Sequence, residues 1–352
     1  MTPEFWRNKR VFVTGHTGFK GSWLCIWLHA MGAQVKGYAL TPPTQPSLFE
    51  EAKVGGLVEH QIGDIRDYET LSASVHEFRP DIVFHMAAQP LVRYSYDQPL
   101  ETYATNVLGT AHLLEAVRQS GTAKAVINIT TDKCYENREW VWGYREDEPL
   151  GGHDPYSSSK ACSELVTSAY RRSFLQNTRT ALASARAGNV IGGGDWAKDR
   201  LIPDILGSFA NKEPALIRSP HAIRPWQHVL EPLSGYMLLA EKLWEQPKEH
   251  SEAWNFGPAD EDAKPVEWIV SAMSSRWGAG SQWHIDQGDH PHEAHYLKLD
   301  ISKARQRLGW SPRWSLSTAL DKVIDWHKAW MGGENMRDYA LRQIAEYQTG
   351  QN

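Results

Sequence analysis

Tyr156-Ser-Ser-Ser-Lys160 puts a phenol and an ammonium four residues apart. On a helix the two share one face, about 5–6 Å apart at Cβ. A neighbouring cation lowers the pKa of a phenol and lets it act as a base near neutral pH. Thr130-Thr-Asp-Lys133, directly after a strand-like run, adds a hydroxyl, a carboxyl and a second amine. A third set is Gly15-His-Thr-Gly18-Phe-Lys-Gly21, which ends one predicted strand and opens a helix. Backbone N–H groups at such a helix start can receive the pyrophosphate of a dinucleotide. Gly15, His16, Gly18, Phe19, Lys20 and Gly21 are therefore candidate cofactor residues, although the spacing is G-x-x-G-x-x-G and not G-x-G-x-x-G. His16 is unusual in a loop of this kind. It reads either as an imidazole turned to solvent or as crowding that loosens cofactor binding.

The second predicted strand ends Tyr38-Ala-Leu-Thr41. It offers neither an acid for the ribose hydroxyls nor an arginine for a 2′-phosphate, so this stretch leaves NAD and NADP undecided. Asp64, in Gly63-Asp64-Ile65, reads either as a carboxylate for the adenine amine or as a turn residue.

The elements that must position these groups follow from the apolar patterning. Lys9–Gly15 reads as a buried strand into a glycine turn, and the helix after it runs from about Gly18 to Met31. Further strands are predicted at Gln34–Leu40, Asp81–Met86 and Ala125–Ile129, with helices near Tyr68–Phe78 and Pro99–Ser120. Strands alternating with helices argue for an α/β protein with a doubly wound, Rossmann-type parallel sheet. Past residue 187 the alternation breaks, and 11 of the 16 tryptophans lie from Trp196 onward. Large aromatics are core formers first, so this enrichment reads as packing ahead of ligand stacking. The expected division is a cofactor domain of residues 1–186 plus 222–258, a smaller mixed α/β substrate domain of 187–221 plus 259–335, and a tail of 336–352. The substrate belongs in the cleft between the two domains.

Composition excludes other classes. The 352 residues carry 37 Lys and Arg against 42 Asp and Glu, a net charge of −5. No basic footprint argues for nucleic acid, and no apolar run approaches the ~18 residues of a membrane span. The N-terminal stretch is short and charged without an apolar h-region, pointing to a cytoplasmic protein. Cys25, Cys134 and Cys162 have no metal-ligand spacing, so neither disulfides nor a metal site is expected.

Five more segments sharpen the picture: Phe84-His-Met-Ala-Ala-Gln89, Asn106-Val-Leu-Gly109, Arg186-Ala-Gly-Asn189, Ile223-Arg-Pro-Trp226 and Leu308-Gly-Trp-Ser-Pro312. With the motifs above, they make the chain resemble the extended short-chain dehydrogenase/reductase family, in its sugar-nucleotide branch, over nearly the whole length. Residues 14–23, 130–135 and 192–196 resemble most the members that dehydrate CDP-D-glucose. The resemblance implies NAD as a retained, non-consumed cofactor, a role in deoxysugar (O-antigen lipopolysaccharide) biosynthesis, and a homodimer that could pair further into a homotetramer. It adds Ile65, Ala87, Ala88, Gln89 and Asn106 to the cofactor site with Tyr156 and Lys160. It also makes Arg186, Asn189, Arg224 and Trp226 substrate residues.

The chemistry of such a lyase fits the residues. Oxidation at C4 of the hexose acidifies the C5 proton, water then leaves from C6, and the electrons return to C6. Tyr156 is the C4 base tuned by Lys160, Thr131 bonds the C4 oxygen, and a protonated Asp132 is the C6 acid. Members acting on dTDP-glucose follow that Asp with a Glu as C5 base. This chain has Lys133, which serves either as the base or as a positioning group. A second departure is Pro291-His-Glu-Ala-His-Tyr296, where Ala294 and His295 stand at arginine positions of the resembled motif, leaving Arg224 as the surviving phosphate cation. Three other readings stay open: a nucleotide-sugar 4-epimerase, a dehydratase of another nucleoside-diphosphate glucose, and a non-catalytic NAD-sensing module.

Overall fold

The computed structural model describes residues 2–278, 281–288 and 296–350. Its strands, in chain order, are β1 (Arg10–Thr14), β2 (Gln34–Ala39), β3 (Glu59–Ile62), β4 (Ile82–His85), β5 (Ala125–Ile129) and β6 (Ala181–Ala187). There follow β7 (Asn189–Ile191), β8 (Ala215–Ile217), β9 (Ile223–His228), β10 (Ala253–Phe256), β11 (Ala263–Pro265) and β12 (Trp283–Ile285). Seven of them form one sheet in the order β10-β6-β5-β4-β1-β2-β3, and every pair in it is parallel. The sheet is the doubly wound Rossmann type expected from the alternation. The chain leaves β1 toward β2 on one side and returns to β4 on the other, so the topological switch opens a crevice at the carboxyl ends of β1 and β4.

Central strands covered on both faces must be almost wholly apolar, with any polar side chain hydrogen-bonded, as Asn128 of β5 is to Ser163 and Thr167. β5, Ala-Val-Ile-Asn-Ile, is buried at every position. One face packs on the helices Phe19–Ala30 and Leu230–Glu245 through Trp23, Trp27, Leu233 and Met237. The other packs on Tyr68–Phe78 and Gly109–Ser120 through Leu71, Val75, Leu113 and Val117. The Phe19–Ala30 helix has no single apolar stripe and is buried continuously from Gly21 to Leu28, because it lies between the sheet and the C-terminal helix.

A smaller unit holds a three-stranded sheet, β11-β9-β7, and the pair β12-β8, around its own core of Ile205, Phe209, Ile269 and Leu320 among others. Within residues 222–258, β9 joins this smaller sheet, whereas the Leu230–Glu245 helix packs on β5 and β6 and β10 pairs with β6. The stretch read as a C-terminal tail differs from that reading. Residues Met336–Thr349 form a helix with Met336, Ala340, Ile344 and Tyr347 buried. Buried Glu231 anchors it by accepting from the Tyr347 hydroxyl at 2.7 Å and from the backbone N–H of Trp314 at 2.8 Å. From Trp196 onward, Trp226, Trp254, Trp310, Trp314 and Trp326 are buried and the other six tryptophans pack partly buried against the two cores, so the aromatic enrichment is chiefly core.

Candidate active site

The glycine turn after β1 is shaped by close backbone approach. A Cβ on Gly15, which sits at φ +77°, would come within 2.7 Å of the Ala87 backbone nitrogen. One on Gly21 would come within 2.2 Å of the Gly15 carbonyl oxygen. Neither position has room for a side chain, so the turn stays tight and leaves the start of the Phe19–Ala30 helix bare, which fits a dinucleotide diphosphate seated on that helix end. His16 does not face solvent. Its ring is buried under β2, where a Cβ on Gly37 would meet it at 2.3 Å, and its Nε2 lies 2.6 Å from His60 Nδ1. Burial, with His60 adding to it, lowers its pKa to about 3.

The other expected cofactor residues make local contacts. The Asp64 carboxylate is held by the Arg66 guanidinium, with Nη2 to Oδ2 at 2.6 Å, which keeps its pKa low. The Ile65 side chain packs where a Cβ on Gly109 would sit, 2.5 Å from its Cδ1. Asn106, buried in a π-helical turn, accepts from the Gln89 backbone at 2.9 Å and donates to Ser159 Oγ at 2.8 Å. The Gln89 side chain donates in turn to Thr102 Oγ1 at 2.9 Å. Together these bonds tie the segment after Ala87 and Ala88 to the Pro155–Tyr170 helix.

That helix begins where Asp154 accepts from the Ser157 N–H at 2.9 Å and Pro155 occupies the first turn, a cap that sets the register of everything after it. Tyr156, Lys160 and Glu164 follow at intervals of four, so all three share one face. Lys160 donates to the Ile129 carbonyl at the end of β5, at 3.2 Å. Glu164 accepts from Thr130 Oγ1, from Ser184 Oγ and from the Arg186 guanidinium at 2.9 Å. Arg186 also donates to the Tyr135 hydroxyl at 2.7 Å and the Glu146 carbonyl at 3.0 Å. This corrects the expectation for Arg186. It does not line the cavity, because a guanidinium this deeply buried needs its carboxylate, and removing one partner of such a pair costs about 3–5 kcal/mol.

Tyr156, Thr131, Asp132 and Lys133 line one cavity of about 300 Å³, together with Phe19 and Lys20 of the glycine turn. Asn189, Arg224 and Trp226 line the same cavity from the smaller unit. Lys133 and Arg224 also border an adjoining cavity of about 410 Å³. Residues 289–295, which hold the Ala294 and His295 departure, lie outside the described residues.

Burial dominates the electrostatics. It raises the Tyr156 phenol to about 12, with a hydrogen bond to Thr131 opposing. This is the reverse of the lowering expected from an adjacent cation, because desolvation of the buried phenol outweighs its polar neighbours. Burial brings Lys160 down to about 8 against the pull of Glu164. Asp132 is 1% exposed, and burial raises its carboxyl above the usual range, outweighing Lys133, Thr131 and Arg224. Its Oδ1 accepts from Thr131 Oγ1 at 2.9 Å, while its Oδ2 is buried without a partner among the described residues.

Sequence reasoning missed Arg93, Asp195, Arg200 and Arg218, which line the cavity. Arg200 pairs with Asp195 at 2.8 Å. Asp199 receives Arg93 from across the cleft and Arg218 from the end of β8, each at 3.4 Å. Asp195 stands in the singled-out segment 192–196, whereas Arg93, Arg200 and Arg218 carry no local signal beyond their charge, since they sit in loops or near element ends and meet only in the folded chain.

A glycine turn at the switch point of a parallel sheet, facing a buried Tyr–Lys pair, defines a dinucleotide-dependent enzyme of the short-chain dehydrogenase/reductase type. The model of the GDP-mannose 4,6 dehydratase family matches residues 12–323, and the chain belongs to that family. It is 63% identical to the CDP-glucose 4,6-dehydratase of Salmonella typhimurium, over 99% of this chain and 98% of the relative. It is 25% identical to a dTDP-glucose 4,6-dehydratase of Xanthomonas campestris pv. campestris, over 94% and 97% of the two chains. Among solved structures, the UDP-glucose 4-epimerase of Thermotoga maritima with UDP-glucose shares the fold at TM-score 0.81 and 21% identity, covering 92% of this chain and 99% of the other.

Proposed function

We propose that this chain is an NAD-dependent hydro-lyase that converts CDP-D-glucose to CDP-4-keto-6-deoxy-D-glucose and water. The observation that carries the reading is Asp132, a buried carboxyl with a raised pKa and an unpartnered oxygen on the same cavity as Tyr156. A 4-epimerase never expels the 6-hydroxyl and has no use for an acid there. The 63% identity over 99% of this chain and 98% of the relative supports cytidine as the nucleoside.

NAD fits the bare glycine turn, with Gly15, Gly18, Phe19 and Gly21 holding its diphosphate by backbone and Lys160 its nicotinamide ribose. When bound, it supplies a reversible two-electron acceptor and, in the oxidised form, a positive ring charge. The protein's own groups do the rest. Tyr156, relieved toward its phenolate by that added positive charge, takes the proton of the C4 hydroxyl, and Thr131 holds the C4 oxygen. With C4 a ketone, Lys133 removes the acidified C5 proton. Asp132, whose protonated form burial favours, delivers its proton to the C6 oxygen, so that water and not hydroxide departs. Cations at Arg224, Arg200 and Arg218 face the diphosphate, and Asn189 and Trp226 complete the wall. Incubation with CDP-, dTDP-, UDP- and GDP-glucose tests the substrate. CDP-glucose alone should give the 4-keto-6-deoxy product, which absorbs in the near ultraviolet in alkali. Preferred turnover of another member, or a C4-inverted sugar, would replace this reading.

The assembly is a homodimer at least. The Pro155–Tyr170 helix and its π-helical extension expose Leu165 at 58% and Phe174 at 51%, beside Leu108 at 56% on the neighbouring helical segment. Apolar side chains exposed on two packed helices support a helical interface between two subunits. Sedimentation at micromolar concentration should show a dimer or larger, and a stable monomer would remove the proposal. No helix among the described residues is long and apolar enough to cross a membrane.

A further inference from the structure

Lys20 is the second residue of the Phe19–Ala30 helix, whose first turn holds no acidic side chain. A cation there opposes the helix macrodipole, which favours negative charge at that end. Helical side chains lean toward the N-terminus, so this one leans toward the glycine turn. Gly15, Gly18 and Gly21 leave Phe19 and Lys20 as the side chains of this helix start that line the cavity.

The charges facing Lys20 come from three elements. Lys160 on the Pro155–Tyr170 helix and Arg200 on the loop before Leu201 repel it, while Asp132 after β5 and Asp195 on the same loop attract it. Neither carboxyl neutralises it. Asp195 is paired to Arg200 at 2.8 Å, and Asp132 is pushed toward its protonated form. Lys20 makes no hydrogen bond or ion pair among the described residues. Three cationic side chains thus gather where a helix start already concentrates positive potential, and an anion is the missing partner.

We propose that Lys20 is a cofactor-binding cation that takes up a proton from solvent as the dinucleotide diphosphate seats on the glycine turn, coupling NAD affinity to pH. Burial, reinforced by Lys160 and Arg200, lowers the free amine to about 7. The dianionic diphosphate favours the ammonium and raises it again. The bound state then holds more protons than the free state above pH 7, and by linkage NAD affinity falls as pH rises through the interval between the two pKa values. His16, brought to about 3, stays neutral throughout this interval. The inference rests on the NAD reading above.

NAD binding, measured by calorimetry between pH 7 and 9, separates the outcomes. In the unsubstituted protein affinity should fall by roughly tenfold or more across that range. Lys20→Met should bind about ten- to a hundredfold more weakly at pH 7, the loss expected for one charge-assisted contact, with a flattened profile. Lys20→Arg, whose guanidinium stays charged, should also flatten the profile but retain affinity at pH 9. Thermal melting of both variants checks that the fold is kept. A flat profile in the unsubstituted protein overturns the proposal. So does a slope that survives in both variants, which would belong to Lys160, brought to about 8. Absence of NAD binding at every pH would remove the cofactor reading itself, and this proposal with it.

Discussion

Asp132→Asn is expected to lower formation of the 4-keto-6-deoxy product by roughly 10²–10⁴-fold while bound reduced nicotinamide still accumulates on adding CDP-glucose. Asparagine keeps the shape of the side chain and can still accept from Thr131 Oγ1, so the C4 oxidation geometry around Tyr156 is preserved. What it lacks is a carboxylic proton. In the native site burial favours that proton and outweighs the pull of Lys133, Thr131 and Arg224. Without it the C6 oxygen would have to leave as hydroxide, and the cycle stalls after oxidation. A stopped-flow absorbance trace of reduced nicotinamide, paired with the alkali assay for product, reads both halves. Normal turnover would take Asp132 out of the acid role. Lys133→Met completes the dissection. It should also accumulate reduced nicotinamide but fail to exchange the C5 hydrogen in heavy water, and normal exchange would pass the base role to another group.

Tyr156→Phe is expected to stop the cycle one step earlier, with turnover reduced by roughly 10²–10⁴-fold and no reduced nicotinamide formed. The ring still packs beside Thr131, but no group remains to take the C4 hydroxyl proton. Lys160, bonded to the Ile129 carbonyl, is held away from that duty. The phenol stands at about 12 in the free protein because burial outweighs its polar neighbours. Its function therefore depends on positive charge arriving with the cofactor, and the rate should rise with pH in the native protein but not in the variant. Accumulation of reduced nicotinamide in Tyr156→Phe at the native rate would show that a different group accepts the C4 proton.

Much of this was legible from residue order. Strong local patterns marked β1, β5 and the helix Tyr68–Phe78 at or near their observed ends, since each is an uninterrupted apolar run or carries a cap. The glycine turn and the Tyr156–Lys160 register were readable for the same reason, as both depend on neighbours within one turn or one helix. Arg186 was misread because its sequence context, next to Gly188 and Asn189, looks like the rest of the substrate wall. Only the pairing of β6 against β5 and the helix above them hands its guanidinium to Glu164. The helix Met336–Thr349 was read as a tail although Met336, Ala340, Ile344 and Tyr347 recur at helical spacing. Its partner surface, Glu231 and the Phe19–Ala30 helix, lies more than 100 residues away in sequence, as the Glu231–Tyr347 bond shows.

Residue order alone, then, specified the parallel sheet, the glycine turn and the register that puts Tyr156 and Lys160 on one helix face, because spacing along one element needs no other element to interpret it. Protonation was decided elsewhere. Whether Asp132 holds its proton, why Tyr156 lies high and Lys160 and Lys20 low, and which arginines face the cavity all depend on burial and on charges from distant segments. Desolvation and Coulomb terms act through space, and only the assembled fold sets those distances.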